Sequence, residues 1–212
     1  MNSLKKQFIE FTLNHEILRF GTFTLNSGRQ SPYFFNTGLC NNGKLLSLLS
    51  KFYSDFIIRQ DIEYDFIFGP AYKGITLASS ICQTLYIDNS INKPFCYNRK
   101  EAKTHGESGL FVGYQPNGSA LIVDDVISSG KSITESIGLL KVNKAQPVSV
   151  LVAFDRMEVG KSKRASLELS EDYKVSVNSI ITLDDIIEYI KLDIALSKYL
   201  SKMKDYMNEF KR

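Results

Sequence analysis

ALIVDDVISSGKSIT, residues 120–134, is the stretch of sequence that decides the fold. Its four leading apolar residues predict a strand that is buried on both faces and ends at Val123. Helical spacing of apolar residues begins again at Ile133. The segment is therefore predicted to run from a buried strand through a tight loop into a helix.

Two acidic residues, Asp124 and Asp125, stand where this predicted strand ends. Two carboxylates crowded at the end of a buried strand repel each other unless a metal ion or a sugar diol uses them. The serines and glycine of residues 128–132 bring hydroxyl and backbone N–H groups to a helix start, which favours an anion such as phosphate. One ligand that meets both demands is a ribose 5-phosphate.

Two other interpretations apply to the same segment. Gly130-Lys131-Ser132 matches the end of a nucleotide-binding loop of the form G-x-x-x-x-G-K-[ST], but Asp125 stands where that loop has its first glycine. A carboxylate at that position would face the triphosphate, which disfavours a nucleoside triphosphatase. The other interpretation is an acidic strand end followed by an ordinary capped helix, and the second acid together with the loop argues against it.

The composition is that of one globular domain. A chain of 212 residues that is 43% hydrophobic is long enough for a full core. The formal charge of +3 gives no argument for a nucleic-acid partner. Three cysteines without C-x-x-C spacing predict reduced thiols, and the two histidines predict no zinc site built by the protein. Because the sequence has neither a signal-peptide pattern nor a membrane span, we expect a cytoplasmic protein.

Helical and strand patterns alternate along the chain. Apolar spacing predicts helices at residues 3–19, 43–60, 75–85, 133–142, 183–190 and 193–207. Short apolar runs predict strands at residues 23–25, 33–35, 66–68, 95–97, 120–123, 148–154 and 173–182. The first two are predicted as a hairpin or as a strand pair with a wide turn. These units predict an α/β fold in which a mostly parallel central sheet carries helices on both faces.

Charged side chains follow four of the predicted strands, as Tyr72-Lys73, Arg99-Lys100, Asp124-Asp125 and Asp155-Arg156. Ligands of such sheets bind at the carboxyl ends of the strands, so this convergence predicts a site there. On its own, Lys73 could be a solvated turn residue. The polar segment 98–109, with four potential cations, could be a solvated basic loop or a mobile loop that closes over a polyanion. The phosphate motif downstream favours the mobile loop.

At residues 120–134 the chain resembles the type I phosphoribosyltransferases, whose shared motif is four apolar residues, two acids and a short Thr/Ser/Gly loop. The resemblance implies their fold, with residues 1–212 as a single domain that includes a small N-terminal hood of about residues 1–40. It also implies phosphoribosyl pyrophosphate (PRPP) as the donor. The residues it places around PRPP are Asn26, Tyr72, Lys73, Arg99, Lys100, Lys103, His105, Asp124, Asp125, Val126, Ile127, Ser128, Ser129, Gly130, Lys131 and Ser132.

Longer segments narrow the resemblance to bacterial members of the family that act on orotate. They are residues 8–11, 20–25, 27–36, 68–74 and 98–107. The resemblance implies a transferase of pyrimidine biosynthesis that makes orotidine 5'-monophosphate and pyrophosphate. The residues that it places around orotate are Phe34, Phe35, Ser128 and Arg156. The implied catalytic residues are Lys103, His105, Asp124 and Asp125.

The resemblance further implies a homodimer with shared active sites, in which the loop of residues 99–105 closes over the neighbouring subunit's site. It implies Mg²⁺ held mainly by PRPP, near Asp124 and Asp125, without a metal site built from protein side chains. The planar guanidinium of Arg156 suits the carboxylate of orotate. The alternative for Arg156 is an ion pair with Asp155 or Glu158.

Two alternatives to this function stay open at this point. A phosphoribosyltransferase for another nucleobase would share the donor site but would not need Arg156. A regulatory protein that only binds PRPP would lack turnover, and the basic loop argues against it. One position departs from the family, whose members usually carry a lysine where this chain has Asn26. Arg29 is the candidate to replace that charge.

Overall fold

The computed structural model describes residues 1–25, 28–103 and 109–210, with Ala102 and Lys103 described as backbone. Its helices are α1 (Ser3–Asn14), α2 (Gly43–Arg59), α3 (Lys73–Asn89), α4 (Lys131–Val142), α5 (Ala165–Tyr173), α6 (Leu183–Leu192) and α7 (Leu200–Phe210). Its strands are β1 (Leu18–Thr24), β2 (Gln30–Phe35), β3 (Phe66–Gly69), β4 (Phe95–Lys103), β5 (Gly109–Gly113), β6 (Gly118–Ile127), β7 (Ala145–Asp155) and β8 (Ser176–Thr182). Short 3-10 turns occupy Thr37–Leu39 and Ser197–Tyr199.

The central sheet has six strands in the order β5-β4-β3-β6-β7-β8. Five of them are parallel to their neighbours, and β5 runs antiparallel to β4 at one edge. The predicted α/β fold with a mostly parallel sheet is thus confirmed. The carboxyl ends of β3, β4, β6 and β7 meet at one edge, which is where the charged segments of the sequence lie.

Helices cover both faces of this sheet, because the side chains of each strand alternate between two apolar layers. Ile67, Leu121 and Leu151 face a layer that holds buried residues of α1, α2, α3, α6 and α7. Phe66 and Ile122, one position away along their strands, face the layer that holds buried residues of α4 and α5. Burial on both faces explains the unbroken apolar runs in the central strands.

The predicted hairpin is confirmed as the antiparallel pair β1 and β2, with Leu18 opposite Phe35. The predicted helix at residues 3–19 is too long. It ends at Asn14, and Glu16 adopts a positive φ of 56°, which turns the chain into β1. A helix cannot continue through that conformation, and the apolar residues that follow serve the hairpin instead.

The prediction of a loop at residues 98–109 is wrong over its first half. Strand β4 continues to Lys103 and pairs with β5, from Cys96 opposite Gly113 to Lys103 opposite Gly109. Residues 104–108 lie outside the described residues, and Gly109 begins β5.

Two further boundaries differ from the sequence prediction. Helix α5 was not predicted, and its presence moves the start of the last strand from residue 173 to Ser176. The last helix begins at Leu200 rather than at residue 193. None of the helices in the described ranges is long and apolar enough to cross a membrane.

Candidate active site

The two acids of the central motif lie inside β6 rather than beyond its end. Strand β3 stops pairing with β6 at Phe68 opposite Ile122, whereas β7 accompanies β6 as far as Ile127 opposite Asp155. The prediction that the strand ends at Val123 is therefore wrong by four residues. Past the end of β3, one side of β6 is open to groups from other elements, and both acids lie in this part of the strand.

Asp124 is a buried carboxyl group held by hydrogen bonds. Its Oδ1 accepts the backbone N–H of Asp125 at 2.9 Å, and its Oδ2 accepts the Ser132 hydroxyl at 3.1 Å. Its backbone carbonyl accepts the hydroxyl of the fully buried Tyr53 at 2.7 Å. Burial and the neighbouring Asp125 carboxylate raise the pKa of Asp124 to about 6, because both disfavour its charged form.

Asp125 is buried as well, and it is bound by groups from two other elements. Its Oδ2 accepts the hydroxyl of Thr37 at 3.0 Å and lies in contact with the Lys73 ammonium group. Thr37 follows β2, and Lys73 begins α3. The contacts of Asp125 therefore join the N-terminal segment and the loop after β3 to the centre of the predicted site.

The loop between β3 and α3 is packed too tightly for side chains at two positions. A Cβ on Gly69 would come within 1.9 Å of the Gly74 carbonyl oxygen, and a Cβ on Gly74 within 2.6 Å of Pro70. The peptide bond between Ala71 and Tyr72 is cis. The side chain of Tyr72, next to Lys73 in the sequence, is exposed.

Strand β4 adds two positive side chains next to this loop. The Lys100 ammonium lies 4.5 Å from the centre of the Tyr72 ring, and Asn98 accepts the backbone N–H of Ala71 at 3.1 Å. Arg99 reaches across to β5, where its Nη1 donates to the carbonyl of Gly109 at 3.2 Å. Lys100 thus lies over the Tyr72 ring, whereas Arg99 bridges β4 and β5.

The loop from Ser128 to Ser132 leads into α4 with Gly130 as its N-cap. Gly130 has a φ of 77°, a conformation that favours glycine, and no side chain caps the helix there. The uncapped N–H groups and the positive end of the helix dipole suit an anion. Ser129, Lys131 and Ser132 are exposed around this helix start.

The two residues before this loop differ in what they offer a ligand. Ile127 is buried with its side chain in the core, and its carbonyl accepts the backbone N–H of Arg156 at 3.1 Å. Val126 is half-buried. Ile127 therefore presents no side chain to a ligand at this edge.

Arg156, at the end of β7, is buried among polar groups. Its Nε donates to Glu158 Oε1 at 2.7 Å, and its Nη2 donates to the Tyr206 hydroxyl at 2.9 Å. Its guanidinium carbon lies 4.9 Å from the centre of the Tyr33 ring. Arg156 therefore forms a buried ion pair with Glu158, which is one of the two pairs considered for it. Asp155, the other candidate partner, pairs with Arg164 at 3.2 Å.

Phe34 and Phe35 point to opposite sides of β2. Phe35 is buried, with its ring 5.0 Å from that of Phe154 in β7. Phe34 stacks on Phe23 at 5.5 Å, and the Arg19 guanidinium lies 5.6 Å from its ring centre. The structure thus places Phe35 beside the carboxyl end of β7 and Phe34 on the outer side of the hairpin.

Three predicted site residues fall at the limits of the described chain. Asn26 and His105 lie outside the described residues, and of Lys103 the backbone alone is described, as the last residue of β4. Arg29, the candidate to replace the missing lysine, donates from Nη2 to Glu158 Oε2 at 2.9 Å. The positive charge of Arg29 therefore pairs with Glu158, the residue that also binds Arg156.

The sequence did not predict the contributions of Thr37, Tyr53 and Tyr206. Thr37 and Asp125 are 88 positions apart, Tyr53 and Asp124 are 71 apart, and Tyr206 and Arg156 are 50 apart. None of the three has a local motif around it. The signal that could have indicated Tyr53 is a polar tip on the apolar stripe of α2, which needs a partner when it is buried.

The family model and two curated relatives that match this chain are all phosphoribosyltransferases. The model of the phosphoribosyl transferase domain family matches residues 42–193. A curated relative named orotate phosphoribosyltransferase, from Haemophilus influenzae, is 46% identical over 211 residues, which cover 99% of both chains. A relative of the same name from Shigella sonnei is 44% identical over 211 residues, with the same coverage.

Solved structures agree with the curated relatives. The crystal structure of orotate phosphoribosyltransferase from Francisella tularensis superposes with a TM-score of 0.85 at 38% identity, covering 97% of this chain and 100% of that one. An adenine phosphoribosyltransferase from Leishmania donovani shares the fold, with a TM-score of 0.56 at 12% identity, covering 87% of this chain and 81% of that one.

Proposed function

The chain belongs to the phosphoribosyltransferase family and has the type I fold, with orotate phosphoribosyltransferases as its full-length relatives, and we propose that its active site is the sheet edge around Asp124, Asp125 and Arg156. The chain transfers the phosphoribosyl group of PRPP to orotate, which yields orotidine 5'-monophosphate and pyrophosphate in pyrimidine biosynthesis. The observation that carries the placement is the contact between Lys73 and Asp125, which joins two charged segments at the predicted edge.

The donor end of the site follows from the charges. Asp124 and Asp125 suit the two ribose hydroxyls, which can donate hydrogen bonds to carboxylates. The start of α4, from Ser128 to Ser132, suits the 5-phosphate. Transfer leaves pyrophosphate with growing negative charge, so catalysis depends on positioning and on neutralising that charge. We assign this neutralisation to Lys73, with Tyr72 beside the pyrophosphate, and to Lys100, Lys103 and His105, which belong to the basic segment proposed to complete the neighbouring subunit's site.

Mg²⁺ fits this arrangement as a partner of PRPP. Carboxylate oxygens are the ligands that Mg²⁺ prefers, and Asp124, whose pKa is raised to about 6, would be held in its charged form by a nearby cation. The described residues contain no group of three or more His, Cys, Asp or Glu side chains that could hold a metal. The ion would therefore be held mainly by PRPP near the two acids, and when bound it would neutralise diphosphate charge.

The acceptor end is the pocket around Arg156. Orotate carries a carboxylate, and the guanidinium of Arg156 is the matching group at the carboxyl end of β7. Phe35 lies beside the same strand end and supplies an apolar wall, and Ser128 is assigned to the same pocket. Phe34 was expected there as well, but its ring lies on the outer side of the hairpin, against Phe23 and Arg19, so we assign the wall to Phe35 alone. The need for a buried guanidinium here favours orotate over a nucleobase that lacks a carboxylate.

The assembly and the setting of the enzyme are part of the same proposal. We expect one domain over residues 1–212, with a hood of about residues 1–40, that acts as a cytoplasmic homodimer with shared sites. The basic segment at residues 99–105 would complete the partner's site. Sedimentation of the purified chain tests the dimer.

The test of the function is an assay with orotate, PRPP and Mg²⁺, following the loss of orotate absorbance. Turnover of orotate but not of uracil or purines is expected. Turnover of another base in place of orotate would favour a different phosphoribosyltransferase, and PRPP binding without turnover would favour a regulator. Lys103→Ala should lower kcat far more than it weakens PRPP binding, and equal effects would argue against a role in the transition state.

A further inference from the structure

A cluster of charged groups joins three parts of the chain at the acceptor end of the site. Glu158 Oε1 accepts the Arg156 Nε at 2.7 Å and the Tyr206 hydroxyl at 2.8 Å. Glu158 Oε2 accepts the Arg29 Nη2 at 2.9 Å. Arg29 precedes β2, Arg156 and Glu158 follow β7, and Tyr206 belongs to α7. The Glu158 carboxylate thus accepts hydrogen bonds from two guanidinium groups that lie far apart in the sequence.

The cluster carries one more positive charge than negative charge, because two arginines share a single glutamate. The side chains of Glu158 and Arg156 are 3% and 9% exposed, and that of Arg29 is 35% exposed. Water therefore solvates the excess charge poorly at Arg156. A buried excess of positive charge is relieved by an anionic partner, and a ligand carboxylate of the right size is such a partner.

The geometry leaves Arg156 able to bind that partner. Its described hydrogen bonds use one N–H from Nε and one from Nη2, out of the five that a guanidinium has. The Tyr33 ring lies against the guanidinium at 4.9 Å and limits its rotation. Glu158 and Tyr206 therefore fix the plane of the guanidinium while further donors remain for a carboxylate.

We propose that Arg29 is a positioning residue for acceptor specificity, because it takes up part of the negative charge of Glu158 and so keeps Arg156 electrostatically positive toward the orotate carboxylate. Without Arg29, Glu158 would neutralise Arg156 and the cluster would carry no net charge. This proposal rests on the proposed function, in which orotate meets Arg156. It adds a hood residue that acts on the substrate through Glu158.

The other role open to Arg29 is purely structural. Its guanidinium carbon lies 4.9 Å from the centre of the Phe210 ring, and Phe210 accepts the backbone N–H of Val159 at 3.1 Å. Through these contacts Arg29 could simply fasten the hood to α7. A structural role would loosen the binding of every nucleotide, whereas a charge role affects the ligands that carry the carboxylate.

The experiment compares two nucleotides that differ in that carboxylate. Orotidine 5'-monophosphate carries it and uridine 5'-monophosphate lacks it, so the ratio of their dissociation constants isolates its contribution. Arg29→Gln in the full chain should weaken orotidine 5'-monophosphate about tenfold while leaving uridine 5'-monophosphate nearly unchanged. The exposed Arg59, at the end of α2, offers the control Arg59→Gln, which removes one positive charge elsewhere and should leave the ratio unchanged.

A charge rescue completes the test. Arg29→Gln combined with Glu158→Gln returns the cluster to one net positive charge, so the double variant should recover most of the lost discrimination, and Arg29→Lys should retain it. Equal weakening of both nucleotides in Arg29→Gln, or a double variant worse than either single variant, would overturn the proposal. If Arg29→Gln does not fold, Arg29→Lys still decides, because loss of discrimination with the charge retained contradicts the charge role.

Arg156→Met separates this inference from the function on which it rests. If Arg156→Met leaves the orotidine to uridine nucleotide ratio unchanged, the assignment of Arg156 to the carboxylate fails, and the role of Arg29 fails with it. If Arg156→Met abolishes the discrimination and Arg29→Gln does not alter it, the function stands and the role of Arg29 is wrong.

Discussion

The buried carboxyl group of Asp124 leads to a prediction about stability, namely that Asp124→Asn stabilises the ligand-free chain while it impairs catalysis. The folded chain raises the pKa of Asp124 from 3.8 to about 6, so it binds this proton more tightly than the unfolded chain does. Stability must therefore fall as the pH rises through this range, since deprotonation favours the unfolded state. An asparagine, which does not ionise, removes that loss.

The magnitude follows from the two pKa values. A rise from 3.8 to about 6, at about 1.4 kcal/mol per pH unit, amounts to roughly 3 kcal/mol at pH 7. The asparagine side chain is nearly the same size, and its oxygen can still accept the backbone N–H of Asp125. With allowance for relaxation around the charge, we expect a gain of about 1–3 kcal/mol, or roughly 2–10 °C in Tm for a chain of this length.

The assay is thermal unfolding of wild type and Asp124→Asn between pH 4 and pH 8. The gain should be small near pH 4, grow through pH 5 and 6, and level off above pH 7. PRPP with Mg²⁺ should raise the Tm of the wild type more than that of the variant, because the ligand uses the carboxylate. A gain that is independent of pH, or a loss of stability at pH 8, would refute the reasoning.

Asp155 provides a matched control at the end of the neighbouring strand. It is even more buried than Asp124, but it pairs with Arg164 at 3.2 Å and accepts the Ser166 hydroxyl at 2.8 Å and the backbone N–H of Met157 at 2.7 Å. Asp155→Asn should therefore lower stability by about 1–3 kcal/mol at pH 7. If Asp124→Asn raises the free energy of unfolding and Asp155→Asn lowers it, a general effect of removing negative charge on stability is excluded.

Three further predictions concern the groups that shape the donor site. Tyr53→Phe leaves the Asp124 carbonyl without its hydroxyl partner, and should cost about 1–3 kcal/mol in unfolding experiments and raise the KM for PRPP; an unchanged KM would contradict its link to the site. Gly130→Ala, at a φ of 77°, should destabilise the chain by about 1–2 kcal/mol and weaken PRPP binding, whereas the control Gly138→Ala, with open space around it, should stabilise α4 by up to about 1 kcal/mol. Asn26→Lys should increase kcat/KM by about ten- to a hundredfold, since it restores a charge-assisted hydrogen bond; no change, or a loss, would show that the site works without that charge.

The sheet and the gathering of charged segments at its carboxyl edge could be predicted because both depend on local sequence patterns. Strands β3, β6 and β7 are buried on both faces, so their apolar runs stand out from the amphipathic helices between them. Charged residues directly after such runs must lie at the carboxyl edge in a parallel sheet. The topology then brings Lys73 to Asp125 although they are 52 positions apart.

The elements that sequence patterns did not indicate lie where burial is weak. Residues 98–101 of β4 carry exposed and half-buried polar side chains. This part of the strand is held by pairing with the edge strand β5 and by the Arg99 hydrogen bond to Gly109, so it needs no apolar face. Helix α5 buries little more than Ala165, Ser166 and Leu169, which is too short a stripe to reveal a helical period. Contacts such as that of Tyr206 with Arg156 depend on tertiary packing, which no local spacing encodes.

The two ends of the proposed site hold opposite charge imbalances, and under the proposed assignment these imbalances set the orientation of the substrates. At the donor end, the buried Asp124 and Asp125 lie side by side and Lys73 pairs with Asp125, and at the acceptor end two guanidinium groups share Glu158. PRPP and orotate satisfy both ends when the ribose hydroxyls face the acids and the orotate carboxylate faces Arg156, whereas a reversed orientation would set like charges together. Each imbalance lowers the stability of the ligand-free chain, so removing one should stabilise the fold and reduce activity, as expected for Asp124→Asn. Residues that only support the site, such as Tyr53 and Gly130, should lose stability and activity together, and this difference in sign separates the charges that recognise substrate from the groups that hold them in place.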